Sequence, residues 1–149
     1  DVPEDETLIP FGKGRLEKEG NDITIVSWSA QMHIAANAAT LLQAEGISAE
    51  LIDLRTLWPW DRQMVFDSVE KTGRLLITHE SVSVGGFGAE IAATVAEQLF
   101  SVLKSPITRC AAPRVPISYA PPLEDKIRVS SEQIVEAARK SITVSAGFK

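Results

Sequence analysis

The stretch ITIVSWSAQMHIAANAATLLQAEGISAELIDL, residues 23–54, decides the fold class. It begins with a β-rich run at residues 23–28, continues with a helical pattern at residues 31–45, and ends in a buried strand at residues 49–54. Gly46 supplies the end of the helix. The apolar face predicted for this helix consists of Met32, Ala35, Ala36, Ala39 and Leu42. A helix between two strands indicates a parallel pair, because a parallel connection needs a crossover.

The alternation of strands and helices continues after this unit. Asp61 is the expected N-cap of a second helix that ends at Gly73. The remaining elements are predicted as a strand at residues 74–78, a helix at 87–103, a short strand at 107–110, and a final helix in which Ser130 and Gln133 have capping-box spacing. Residues 112–129 carry four prolines and are predicted to lack regular structure.

This order of elements predicts an α/β fold with three layers, an α/β/α sandwich in which helices cover both faces of a mostly parallel sheet. The charged segment at residues 14–18 precedes the first hydrophobic strand. It is too short and too charged for a central position, so it could pair only at an edge of the sheet.

The composition is that of one ordinary soluble domain. The chain has 149 residues, of which 44% are hydrophobic and 23% charged, close to the globular average. A net charge of −5 without a long basic run disfavours nucleic acid as a partner, and no stretch approaches the roughly 20 apolar residues of a membrane span. Residues 1–6 are acidic and the chain lacks an initiator methionine, so we interpret it as a fragment that starts in a linker.

Cysteine and histidine are scarce. The single cysteine, Cys110, excludes an internal disulfide and fits a reducing compartment or the mitochondrial matrix. With only His33 and His79 available, no zinc cluster can be assembled, and we predict no metal site. His33 falls in the first turn of the first helix, where we assign it no catalytic role.

A glycine-rich motif, Gly85-Gly86-Phe87-Gly88-Ala89-Glu90, lies between a strand and a helix. Free backbone N–H groups at such a helix start could hold a phosphate. However, the third glycine of a dinucleotide fingerprint is replaced by Ile91, and no phosphate-loop lysine follows. Close packing of the loop against the helix and a neighbouring chain is the favoured alternative.

His79-Glu80 is predicted at the carboxyl end of a strand, the edge where ligands gather in open α/β sheets. His79 could act there as a general acid or base, or it could be a hydrogen-bonded structural histidine, which we favour. No serine lies in a nucleophile-elbow motif, so hydrolase chemistry has no support. Trp58 and Trp60 flank Pro59, and either core anchoring or a partner-binding patch would explain them.

Several motifs together resemble the C-terminal, transketolase-type domain of the β subunit of heterotetrameric thiamine-dependent 2-oxo acid dehydrogenases. The resemblance covers roughly residues 2–143. Its most specific motifs, in this order, are Asp53-Leu54-Arg55-Thr56, His79-Glu80 and Gly85-Gly86-Phe87-Gly88. Supporting segments are Ile9-Pro10-Phe11-Gly12-Lys13-Gly14, Trp58-Pro59-Trp60-Asp61, Lys71-Thr72-Gly73-Arg74-Leu75 and Tyr119-Ala120-Pro121-Pro122-Leu123-Glu124-Asp125. The segment Ser81-Val82-Ser83-Val84 departs from many relatives, which carry Ala and a polar residue there.

The resemblance implies a five-stranded sheet with one antiparallel edge strand, and a division into a linker (residues 1–12), a domain (13–144) and a tail (145–149). It also implies that thiamine diphosphate and magnesium lie between the α subunit and an N-terminal β domain that this chain lacks. The chain would then hold no catalytic, cofactor-binding or metal-binding residue of its own. The parent enzyme, an oxidoreductase, would decarboxylate a 2-oxo acid and transfer the acyl unit to lipoamide.

The role implied for this chain is assembly. Its partners would be a second β subunit, the α subunit and the dihydrolipoyl acyltransferase core, in the mitochondrial matrix or the bacterial cytoplasm. The expected subunit interface comprises His79, Glu80, Gly85, Gly86, Phe87, Gly88 and Glu90. Two alternatives stay open: the C-terminal domain of a transketolase or deoxyxylulose phosphate synthase, and a stand-alone interaction module.

Overall fold

The computed structural model describes residues 8–144. Residues 1–7 of the predicted linker and the predicted tail therefore lie outside the described residues. The strands are β1 (Arg15–Lys18), β2 (Ile23–Ser27), β3 (Ala49–Asp53), β4 (Leu75–Val82) and β5 (Thr108–Ala112). The helices are α1 (Gln31–Ala44), α2 (Arg62–Thr72), α3 (Phe87–Leu99), α4 (Pro121–Ile127) and α5 (Ser131–Thr143), and a 3₁₀ turn at Phe100–Val102 follows α3.

The five strands form one sheet in the order β1-β3-β2-β4-β5. β1 pairs antiparallel with β3 at one edge, while every other pair is parallel. The predicted charged edge strand is thus confirmed, and so is the mostly parallel sheet. The crossover helices account for the parallel pairs, because each returns the chain to the same end of the sheet.

Each face of the sheet carries its own hydrophobic core. On one face, Ile25 and Leu51 pack with residues of α1 and α5. On the other face, Val26 and Ile52 pack with residues of α2 and α3. Successive residues of a strand point to opposite faces, so β2 and β3 serve both cores and are buried almost throughout. The predicted three-layer sandwich is confirmed.

The predicted helix boundaries rest on caps that the structure confirms. Asp61 accepts a hydrogen bond from the Met64 N–H (3.2 Å) at the start of α2, and Gly73 ends that helix at φ +73°, a conformation that glycine adopts without strain. In α5, Ser130 and Gln133 form the reciprocal capping box.

Two segments differ from the prediction at their ends. β4 was predicted to end at residue 78 but continues to Val82, because β5 pairs with its final residues across a bulge. α3 was predicted to reach residue 103 but ends at Leu99, where the backbone leaves the helical region at φ −124° and a 3₁₀ turn at Phe100–Val102 takes the place of the last helical turn.

Two further predictions were wrong in detail. α4 occupies part of the stretch predicted to be irregular: Pro121 and Pro122 stand in its first turn, where a missing N–H breaks no helical bond. In α1, Ala36 is exposed and Ala38 takes its place on the buried face. A run of alanines does not fix the phase of the apolar stripe, because alanine is small enough for either side.

Candidate functional site

His79 lies in β4 at the end of the sheet towards which the parallel strands run, opposite Ala111 of β5. Its side chain is completely buried. The imidazole stacks on the indole of Trp28, with ring centroids 5.1 Å apart and planes inclined by 17°. Trp28 in turn meets Phe87 edge to face at 6.2 Å. Three aromatic rings from three segments therefore form one cluster at this edge.

The surroundings of His79 favour its neutral form. Burial lowers the pKa of the imidazole, and the positive charge of Arg109 on β5 acts in the same direction, while the Ser81 backbone opposes them. Within residues 8–144, neither ring nitrogen has a hydrogen-bond partner of good geometry. Because no part of the ring is exposed to a substrate, the structure fits the interpretation of His79 as a structural histidine. The hydrogen bond expected for such a histidine is missing among the described residues.

The glycines of the loop make room for this ring. A Cβ atom built on Gly88 would lie 2.5 Å from Nε2 of His79 and 2.7 Å from Cδ2, and one on Gly86 would lie 2.8 Å from Cε1. Real side chains do not tolerate such distances. Gly85 differs, because its Cβ would meet nothing within 4 Å but its φ is +78°, so its backbone conformation is what requires glycine. The close-packing interpretation of the motif therefore has direct support.

The start of α3 is poorly suited to an anion. Gly86 is the N-cap and has no side chain to occupy the free N–H groups of the first turn, but Glu90 places a carboxylate there. A negative side chain there already interacts with the positive end of the helix dipole and would repel a phosphate.

The seven residues predicted for the interface fall into an inner and an outer group. Together they occupy one region at the carboxyl edge of the sheet. His79, Gly86 and Gly88 are buried, whereas Phe87 is half-buried. Glu80, Gly85 and Glu90 are exposed. The inner residues hold the loop in place, and the outer residues are available for contact.

The two tryptophans of the Trp58-Pro59-Trp60 segment have different surroundings. Trp60 is 5% exposed, lies edge to face with Phe66 at 6.4 Å and has the Arg62 guanidinium 5.6 Å from its ring. Trp58 is 74% exposed. Core anchoring thus explains Trp60 and leaves Trp58 without a partner among the described residues.

Trp58 stands next to the glycine loop. A groove of about 540 Å³ is lined by Trp58, Gly85, Gly86, Phe87, Ala89 and Glu90. Trp58 was not assigned to the interface from the sequence, although a tryptophan beside a proline was noted there. The signal that could have placed it is topological: β3 ends just before Trp58 and β4 ends just before the loop, so both segments follow strands of one parallel set.

Few other features of the described residues point to catalysis or metal binding. Burial raises the pKa of the Cys110 thiol, which keeps it unreactive. No group of three or more His, Cys, Asp or Glu residues suited to a metal occurs between residues 8 and 144. None of the helices in that range is long and apolar enough to cross a membrane.

Comparison with known proteins places the fold in a family. The family described as "Transketolase, C-terminal domain" matches residues 12–134. The chain is 45% identical over 142 residues to 2-oxoisovalerate dehydrogenase subunit beta 2, mitochondrial, of Arabidopsis thaliana, covering 95% of this chain and 39% of that protein. It is 42% identical to an acetoin:2,6-dichlorophenolindophenol oxidoreductase subunit beta of Cupriavidus necator, covering 95% and 42%.

A pyruvate dehydrogenase E1 component subunit beta of Rickettsia bellii is 40% identical, with 94% of this chain and 43% of that protein covered. The chain thus spans about two fifths of the length of these relatives. Among solved structures, "Split gene transketolase, inactive beta4 tetramer" superposes with a TM-score of 0.81 at 28% identity, covering 97% of this chain and 46% of that one.

Proposed function

Because this chain belongs to the transketolase C-terminal domain family, we propose that it is the assembly domain of the β subunit of a thiamine-dependent 2-oxo acid dehydrogenase. One observation carries the assembly role. The loop at residues 85–90 is held from within by the packing of Gly86 and Gly88 on His79, while Glu80, Gly85 and Glu90 remain exposed on the outside. Such a loop presents its main chain and the half-buried Phe87 in a fixed position, which suits a contact surface.

The relatives favour a dehydrogenase parent over a transketolase. Those cited above at 40–45% identity are named β subunits of 2-oxoisovalerate, pyruvate or acetoin enzymes, whereas the split-gene transketolase is 28% identical. Relatives of similar identity thus act on different substrates. We therefore assign the choice of 2-oxo acid to parts of the parent that this chain does not contain.

Thiamine diphosphate and magnesium are proposed to lie outside this chain. The glycine-rich loop is the place where a diphosphate could use free N–H groups, but the first turn of α3 bears Glu90, whose negative charge would oppose it. We derive no catalytic step through the cofactor in this chain. In the parent enzyme the cofactor would supply the carbanion chemistry of decarboxylation, between the α subunit and the other β domain.

A second β subunit is the proposed partner of the loop at residues 85–90. The solved relative with a TM-score of 0.81 is a tetramer of β chains, which supports contact between like subunits. Symmetric oligomers usually reuse one surface on both copies. The α subunit and the acyltransferase core remain proposed partners of the complete enzyme, in the mitochondrial matrix or the bacterial cytoplasm; one named relative is mitochondrial and another is from Rickettsia bellii.

Sedimentation velocity of the isolated chain over a range of concentrations tests the assembly role. We expect a reversible equilibrium between monomer and dimer. The dimer should be weak, since a standard interface buries about 1,600 Å² in total and the missing domain would contribute part of it. A chain that stays monomeric at millimolar concentration would contradict the proposal.

A further inference from the structure

Trp58 is a large apolar side chain held outward on a well-anchored loop. Its ring is 74% exposed. The segment around it is fixed by the Thr56 hydroxyl, which donates to the Pro59 carbonyl (2.9 Å) and accepts from the Gly12 N–H (3.0 Å). Burial of the adjacent Trp60 anchors the other end of the segment. Because the backbone around Trp58 is already fixed, a partner that covers this residue has to order only its side chain.

A recess lies directly beside this side chain. The groove of about 540 Å³ has Trp58 on one side and the start of α3, with Phe87, Ala89 and Glu90, on the other. At Gly85 the surface is open, because a Cβ atom there would meet nothing within 4 Å. The groove shares Gly85, Gly86, Phe87 and Glu90 with the surface proposed above for β-to-β contact.

A second copy of the chain is the favoured occupant of this surface, because the solved relative with a TM-score of 0.81 is a tetramer of β chains. The surface carries a projecting ring and a recess side by side, so one two-fold axis would fill both recesses at once. Each buried tryptophan contributes about 150–250 Å². Two of them would supply about a quarter of a standard interface of about 1,600 Å².

We propose that Trp58 of each β subunit inserts into the groove beside the glycine loop of the other, and that it is the main apolar anchor of the contact. This inference rests on the proposed function, which requires only that the loop at residues 85–90 meets a second copy. It adds a residue outside that loop. It also assigns the exposed member of the Trp58-Pro59-Trp60 segment to recognition and the buried member to folding.

The test uses the chain labelled with 5-fluorotryptophan, which gives one ¹⁹F signal each for Trp28, Trp58 and Trp60. Loss of one signal in Trp58→Phe identifies the Trp58 signal. As concentration rises, this signal should shift and lose its sensitivity to exchange of H₂O for D₂O, while the signal of Trp60, which is buried in the core, stays constant. Trp58→Ala should weaken dimerisation by at least about tenfold.

Leu41→Ala is the control, because Leu41 is 39% exposed and lies on α1, which packs on the opposite face of the sheet from α3. It should leave the dimerisation constant unchanged. If the chain dimerises while Trp58 stays exposed, or if Trp58→Ala dimerises as well as Leu41→Ala, the inference is wrong and the assembly role stands. If no variant dimerises at millimolar concentration, the assembly role itself fails.

Discussion

The imidazole of His79 and the main chain of Gly88 occupy adjoining space, with 2.5 Å between Nε2 and the place where a Cβ would stand. Gly88→Val should therefore displace the ring or the loop, and we expect a loss of at least about 2 kcal/mol in the free energy of unfolding. Chemical denaturation of the variant beside the unmodified chain measures it.

Lys140→Ala is the comparison for this variant. Lys140 is exposed and pairs with Glu136 one turn away on α5, so its loss should change stability by no more than about 0.5 kcal/mol. Equal stability of the two variants would show that the loop is not packed on His79.

The pH dependence of stability follows from the same ring. Burial lowers the pKa of His79 in the folded chain, so the unfolded chain takes up the proton first as the pH falls below about 6.5. Stability is then fully present above that pH and is lost as the pH falls towards the lowered folded-state pKa. The groups that face His79 include Arg109, whose charge reinforces the shift.

His79→Gln should reduce the difference in unfolding free energy between about pH 7.5 and about pH 5.5. His33→Gln serves as the control, since His33 is the other histidine and is exposed on α1. The explanation is wrong if both variants keep the full difference.

The sequence predicted the positions of the glycines and their close packing, but it did not predict that they pack against His79. His79 and Gly88 are separated by a strand end and a bulge, and only the three-dimensional path of that segment brings the ring under the loop. The stacking of His79 on Trp28 was likewise unpredictable, because it depends on the packing of β2 beside β4.

In the segment between β3 and α2, Trp60 is expected to stabilise the fold, whereas Trp58 is proposed to bind a partner. Trp60→Ala should lower the free energy of unfolding by about 3–5 kcal/mol, because it leaves a cavity in the core shared with α2. Trp58→Ala should change it by no more than about 0.5 kcal/mol. Thermal and chemical unfolding of both variants decide this, and a large loss for Trp58→Ala would mean that Trp58 supports the fold.

Helix ends marked by capping residues could be predicted from the sequence. The extent of an element that depends on contacts with distant parts of the chain could not. Asp61, Gly73 and Ser130 define helix ends through bonds within a few residues, so sequence reasoning located them. The extension of β4 to Val82 depends on pairing with β5, some thirty residues later in the chain. The short α4 was missed because four prolines suggested irregular structure, although proline is compatible with the first turn of a helix.

In the molecule as a whole, the mostly parallel sheet brings the segments that follow its strands together at one edge. Strand order and crossover rules bring the segments after β2, β3 and β4 to one edge, which places Trp28, Trp58 and the glycine loop together. Alternating patterns in the sequence predicted this architecture. Which of the predicted interface residues are buried and which are exposed became clear only from the structure, since burial depends on which neighbour covers each residue.

Sedimentation of Phe87→Asp beside Leu41→Asp asks whether this edge of the sheet is the subunit interface. Phe87 is half-buried beside Trp28 at the start of α3, and a carboxylate there would be unpaired in the proposed contact. Near-ultraviolet circular dichroism checks that each variant is folded, and Phe87→Ala replaces the aspartate variant if it is not. We predict that the Phe87 variant is monomeric at concentrations where the unmodified chain and Leu41→Asp dimerise. A folded Phe87 variant that dimerises as tightly as the unmodified chain would contradict the assignment of this edge as the subunit interface.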